Sequence, residues 1–403
     1  MLSTRFIARQ PILDRRRGIF AYELLFRSGI ENYFQFDPAS ASGSIVDSAL
    51  LLGLDTLTGS SRAFINMTED TLLQDLALLL PPEKVVCEII ETVPPTPEVL
   101  EACARLKQAR YLLALDDFAY LPAWEPFFTH TDFVKVDFLA TPLAQCRELA
   151  LRFAGRPIGL VAEKIETREQ FDLAKEMGYS LFQGYFLFKP EILSHASIPG
   201  SRVQYLRILA ASAGPDLQFD KLEGIIKQDP SLCYKLLRYL NSAAFGFREE
   251  IHSLQHAMTL LGEKALRRWI SVAAVVTLAE DQPGELVHIA LIRAFFCESL
   301  ARLLGRASRG MDFFLLGMLS IMDAILCRPI AAILAEVPVA QDVREALLGA
   351  PNLLRAVFEL LRAYESADWA ALPALTARLR LEEERLPECY AAAVRFANEI
   401  LKV

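Results

Sequence analysis

The sequence predicts an α/β domain followed by an all-α domain, and three observations carry that prediction. Strand-like and helix-like runs alternate through roughly the first 190 residues, strand-like runs then stop, and a segment rich in Pro, Gly and Ser lies between the two regimes. The segment is PEILSHASIPGS, residues 190–201, so the domains are expected at 1–195 and 196–403.

Strand-like runs fall at Arg5–Ile12, Ile19–Phe26, Arg62–Met67, Lys84–Ile90, Tyr111–Phe118, Phe133–Phe138, Ile158–Ile165 and Leu181–Phe188. Helical patterns lie between most of them. Glu69–Leu80 spaces its leucines helically, Pro97–Gln108 opens on a proline, and Thr167–Met177 opens on Thr and stops at Gly178. Eight strands alternating with helices fit either a (β/α)₈ barrel or a doubly wound sheet. Beyond the break, Arg202–Ala213, Asp220–Gln228, Ser231–Asn241, Leu254–Leu261, Glu263–Ala279, Glu285–Leu304, Asp312–Leu326, Gln341–Leu348 and the tail 353–403 read as helices.

A net charge of -8 argues against general nucleic-acid binding, which favours a basic face. It leaves room for a small anionic ligand held by local cations or metals. The 7 cysteines include no C-x-x-C pair, as expected of reduced thiols. The N-terminus lacks the apolar run of a signal peptide, and no apolar stretch reaches the ~20 residues of a membrane span. A cytoplasmic protein without a membrane role of its own is the expectation.

Polar residues interrupt the apolar strands near their ends: Glu23, Asn66, Glu88, Asp116 with Asp117, Lys135 with Asp137, Glu163 and Gln183. At the C-terminal rim of a barrel such side chains converge on one mouth. Buried carboxylates need a compensating cation. An all-oxygen set suits Mg²⁺ or Mn²⁺, and two adjacent aspartates suit a pair of ions of the kind that clamps phosphodiesters. Asp116 and Asp117 point to opposite faces of a regular strand, so both serve only if the strand ends or bulges there. Taken singly, any of these acids is as well explained by a helix cap or a partner Lys or Arg.

At this point the residues resemble a family. ARQPILDRRRGIFAYELLFR, FINMT, CEIIE, DDF, FVKVDF, AEKIE and FQGY, in that order, resemble the EAL-domain cyclic-di-GMP phosphodiesterases over roughly 5–190. The resemblance implies a TIM-like (β/α)₈ barrel that hydrolyses cyclic-di-GMP to linear pGpG with two ions, Mg²⁺ or Mn²⁺. It puts Glu23, Asn66, Glu88, Asp116, Asp117 and Glu163 on the metal. Lys135, Glu163, Gln183 and Glu91 become catalytic, with Lys135 and Gln183 orienting water and Glu91 bracing the loop after the fifth strand. Arg27, Gln10 and Asp137 become substrate-binding, Arg27 through a phosphate. Three departures stand out. Leu24 replaces an alanine and is expected to crowd the metal or a guanine. The loop after DDF reads AYLPAW without its glycines. Lys164-Ile165 replaces Gly-Val and adds a cation beside the site.

The second half resembles the HDOD module, through QDPSLCYKLLRYLNSAAFG at 228–246 and IHSLQHAMTLLG at 251–262. Related HD hydrolases need an adjacent His-Asp pair, and GMLSI puts Ser320 and Ile321 in its place. The resemblance therefore implies a non-catalytic module that engages a signalling protein, while the resemblance of the first half to EAL barrels implies a homodimer. His252 and His256 are read as structural, Cys87 as a buried strand cysteine, and Phe313 and Phe314 as core. The alternative to an enzyme is a degenerate cyclic-di-GMP receptor or protein-interaction scaffold.

Overall fold

The computed structural model describes residues 5–28, 53–118, 120–184, 205–206, 208–209, 211–212, 254–280 and 282–401. The chain forms two compact units, Met1–Leu187 with Glu365–Ala370, and Phe188–Tyr364 with Ala371–Val403. The break at 190–201, the motif at 228–246 and His252 lie outside the described residues.

The first unit is a closed barrel of eight strands in sequence order: β1 (Arg5–Asp14), β2 (Ile19–Ser28), β3 (Arg62–Met67), β4 (Val85–Ile89), β5 (Leu112–Leu115), β6 (Phe133–Asp137), β7 (Gly159–Glu163) and β8 (Leu181–Gln183). Strands β2 to β8 are parallel, but β1 runs antiparallel to both β2 and β8. The barrel thus differs from a uniform (β/α)₈ cylinder, for a reason written in the chain. Only Arg15–Gly18 separates β1 from β2, and a parallel crossover needs a dozen residues or more. Asp14 closes the hairpin, its carboxylate accepting from the N–H of Arg16 and of Gly18 at 2.8 Å each.

Side-chain alternation fills the barrel. Ile12, Ala21, Phe64, Val86, Ala114, Val161 and Leu181 form a buried cluster, with Phe133 packed against it. Helices follow several strands, including Leu143–Phe153 after β6, which the sequence reading missed. Thr96 and Thr167 cap the helices Pro97–Gln108 and Arg168–Met177, the latter with a full capping box. The single helix expected over Glu69–Leu80 is instead a short helix, Glu69–Leu73, and a 3₁₀ turn, Leu76–Leu79. Asp75 breaks it by turning left-handed, where its carboxylate accepts from Arg105 at 2.9 Å.

Every described element of the second unit is helical, from Leu254–Leu278 to Leu386–Leu401. Gly262, with φ 72° and ψ 169°, kinks the first of these where the sequence separates two helices. The expected helix Asp312–Leu326 is divided into Gly310–Leu319 and Met322–Leu326 at Ser320–Ile321. Gly317 lets Gly310–Leu319 lie directly on Gly284–Leu303, since a Cβ there would stand 2.2 Å from the Arg293 carbonyl oxygen. Phe313 and Phe314 are buried in this core. No helix among the described residues is long and apolar enough to cross a membrane.

Candidate metal centre

The barrel mouth follows from the period of two along each strand. Two residues beyond a core position stands a polar one: Ala21 and Glu23, Phe64 and Asn66, Val86 and Glu88, Ala114 and Asp116, Phe133 and Lys135, Val161 and Glu163, Leu181 and Gln183. In the reversed β1 the step runs backwards, from Ile12 to Gln10. The same alternation turns Leu24 away from the mouth, where it is buried and paired with Ile65 of β3. The expected crowding by Leu24 is thereby corrected, and its neighbour Leu25 lines the mouth instead.

Lys135 is the hub, with only 1 % of its side chain exposed. Its ammonium meets Glu163 at 2.7 Å, Asp116 at 2.9 Å and Glu23 at 3.4 Å, and it forms a close contact with Glu88. Burial disfavours this charge, but Glu163, Glu23, Glu88 and Asp116 outweigh it and hold the lysine well above its ordinary value. One cation cannot balance all the acids. Burial drives Glu88 well above the usual carboxylate range and pushes Glu163 up to about 8, against the pull of Lys135. Asp116 ends below its ordinary value, because Lys135 outweighs its burial. Gln183 donates to Glu23 at 2.6 Å and to Gln10 at 2.9 Å, tying β8 to β1 and β2.

The oxygens left over are informative. Glu88 Oε2, Asn66 Oδ1 and Gln183 Oε1 are buried without a hydrogen-bond partner, and Asn66 and Glu88 are adjacent in the β3–β4 register. Orphaned buried acceptors at one place are costly unless something electropositive completes them. Glu23, Glu88 and Glu163 bring ligand oxygens within 4.8 Å of one another, and so do Glu91, Asp116 and Asp117. The donor set is all oxygen and fits a hard divalent ion.

Strand β5 ends at Leu115, and Asp117 turns left-handed with φ 39°, so both aspartates reach the rim. Asp137 accepts from the N–H of Leu139 at 2.7 Å and of Ala140 at 2.9 Å, and pairs with Lys164. Lys164 and the backbone donors outweigh burial and hold Asp137 below its ordinary value. Glu91 is exposed on the outer rim. Arg27 pairs with Phe6 in the β1–β2 register, and its side chain lies outside what is described. A cavity of about 390 Å³ opens over the site, lined among others by Gln10, Glu23, Asp117, Lys164 and Glu166. Lys164 was noted in the sequence only as an added charge; its two aspartate contacts were not foreseen.

In the helical unit, Arg293 donates to Ser320 Oγ at 3.1 Å, and Ser320 donates to the Gly317 carbonyl at 2.6 Å. Ile321 is buried. Among the described residues, neither candidate metal cluster lies in this unit. Cys87 is buried in β4, and desolvation raises its thiol far from reactivity.

Comparison with known proteins returns two families in tandem. The EAL domain matches residues 50–190 and the HDOD domain residues 198–342. The chain is 35% identical, over 98% of its length and 93% of the relative's, to cyclic di-GMP phosphodiesterase CdgJ of Vibrio cholerae. It is 33% identical to the uncharacterized protein YuxH of Bacillus subtilis, over 98% of each chain. Among solved structures, a manganese and cyclic-di-GMP complex of BlrP1 from Klebsiella pneumoniae matches 45% of this chain and 55% of that one, at 23% identity and a TM-score of 0.39.

Proposed function

The chain belongs to the EAL–HDOD family of two-domain signalling proteins, and from that premise we propose that its barrel hydrolyses cyclic-di-GMP to linear pGpG with Mg²⁺ or Mn²⁺. The observation that carries this reading is the set of buried, unpartnered oxygens among acids at one barrel mouth.

Glu23, Asn66, Glu88, Asp116 and Glu163 would hold an ion on the inner side of the mouth, and Asp117 with Glu91 offers oxygens on the outer side. When bound, the ion acidifies a water and offsets charge developing on the phosphoryl oxygens. Lys135 stands among these acids and orients the water through its ammonium. Gln183 holds Glu23 in place by its amide, which donates to Gln10 as well. Gln10, Asp137 and Arg27 serve the substrate, Arg27 at a phosphate. The water adds to one phosphorus as its P–O3′ bond breaks, and the released oxygen takes a proton. The HDOD half acts as a non-catalytic module for a partner protein, and the chain works as a homodimer in the cytoplasm.

The test is incubation of the full chain with cyclic-di-GMP and Mg²⁺ or Mn²⁺, with chromatography of the products. Release of pGpG that disappears in Glu23→Ala supports the reading. Binding without turnover points to the second reading, a receptor, which the loop at 119–124 favours because it lacks glycines around the left-handed Asp117. Absence of both points to a protein-interaction scaffold.

A further inference from the structure

Lys164 occupies a conformation that most side chains avoid. Its φ is 54°, in the left-handed region, directly after the strand that delivers Glu163. Both neighbours are tied down. The Glu163 carbonyl accepts from Phe138 N–H at 3.1 Å, and Ile165 N–H donates to the Gln183 carbonyl at 2.9 Å. Gly184 lies so close over Ile165 that a Cβ there would stand 2.2 Å from its carbonyl oxygen. A strained residue persists where its surroundings over-determine it. Here the result is that the ammonium reaches back over the mouth, 2.5 Å from Asp137 Oδ2 and 3.7 Å from Asp117 Oδ1.

Asp117 belongs to the outer acid group with Glu91 and Asp116. A second ion of a two-metal clamp would draw on that group, about 4 Å from the first. Any dication taken by Asp117 would stand within a few ångströms of Lys164, close enough for the two cations to repel even though both side chains are about half exposed. We propose that Lys164 is a built-in replacement for the outer ion: its ammonium neutralises Asp117 and braces Asp137, and the barrel takes one divalent ion per chain, on the inner acids. This rests on the metal-dependent reading above and gives that site its ion count. Lys164 is a positioning residue, acting through Asp117 and Asp137.

The test is equilibrium dialysis of the full chain against Mn²⁺, with low-temperature electron paramagnetic resonance of the loaded protein. The wild type is expected to bind one ion with an isolated Mn²⁺ spectrum. Lys164→Gly suits the left-handed backbone and removes the charge. It is expected to bind a second ion at least ~10-fold more tightly than the wild type, with a spin-coupled spectrum. Lys164→Gln removes the charge at nearly constant length and carries the same expectation should the glycine variant misfold. Lys164→Arg is expected to keep the count at one, and Asp117→Asn in the Lys164→Gly background to return it to one. Two comparable ions in the wild type, none at all, or one ion in both charge-removing variants would overturn the proposal. Turnover with two ions in the wild type would sink the ion count and leave hydrolysis standing. One ion without turnover would do the reverse.

Discussion

The two units handle charge on opposite principles. Among the described residues of the helical unit, several acids are paired with arginines. Arg309 binds Asp342 through two nitrogens, at 2.8 and 2.9 Å, and Asp312 at 2.7 Å. Glu359 lies between Arg355 and Arg378, each at 3.0 Å. Where a described carboxylate oxygen is left alone there, at Glu298 Oε2, the other oxygen of that carboxylate meets Arg268 and Arg302. In the barrel one ammonium faces four acids, and three orphaned oxygens gather beside it. Matched charge builds structure; a local excess of acid with unfinished oxygens asks for a cation. The HDOD positions follow the first rule, with Ser320 satisfied by Arg293 and Ile321 buried.

The largest expected effect sharpens this contrast within the mouth. Glu88→Gln is expected to leave the metal-free fold nearly as stable, because burial already favours the neutral form of Glu88. It is expected to remove the inner Mn²⁺ and lower hydrolysis by about 10³-fold, the scale of losing a preorganised electrostatic element. Calorimetric melting and product chromatography on one preparation separate the two. A variant that melts early while still binding Mn²⁺ would make Glu88 structural and dissolve the contrast. Next in size, Lys135→Met strands the acids, and chemical denaturation is expected to show a loss of about 3–5 kcal/mol, as for a broken buried pair. Undiminished stability would mean that the acids are balanced without it.

Much of the mouth was legible because the period of two is rigid: once Ala21 or Val161 is read as core, Glu23 or Glu163 must face the same interior. The same rule, applied to Leu24, shows that it faces away, so that error was avoidable. The barrel itself was legible, and the reversal of β1 was legible too, given how little chain joins β1 to β2. Other features depend on contacts between distant residues. Nothing local foretells that Asp75 leaves its helix for Arg105, or that Lys164 turns left-handed to reach Asp117 and Asp137. The divided helix at Ser320–Ile321 likewise reflects tertiary packing, where propensity alone predicts continuity.

A third prediction uses protons to distinguish the two ways of handling charge. Burial raises Glu163 from 4.5 to about 8, so the folded chain holds this proton more tightly than the unfolded chain. Its contribution to stability is complete below about 4.5 and is lost as the pH climbs through about 8. An ion needs the carboxylate, so Mn²⁺ affinity must rise over the same interval with release of protons. Titration calorimetry in buffers of different ionisation heat is expected to show at least roughly 10-fold tighter binding per pH unit below pH 8, one proton being displaced from Glu163 and the proton of Glu88 adding to the slope. Affinity independent of pH would mean that Glu163 is not a ligand.

The smallest effect checks the other side of the contrast. Asp342 is held below its ordinary value, first by its hydrogen bonds from Arg309, so its contribution is present at neutral pH and fades as acid protonates it. The pair is about one-third exposed, which screens it. Arg309→Ala is therefore expected to cost only about 1 kcal/mol at neutral pH, and less in acid. Because the matched charges of the helical unit are structural, this variant should leave Mn²⁺ stoichiometry and cyclic-di-GMP turnover unchanged. A change in either, at unchanged stability, would show that the ion pairs of the second unit serve the chemistry of the first, and that matched charge is no mark of a purely structural role here.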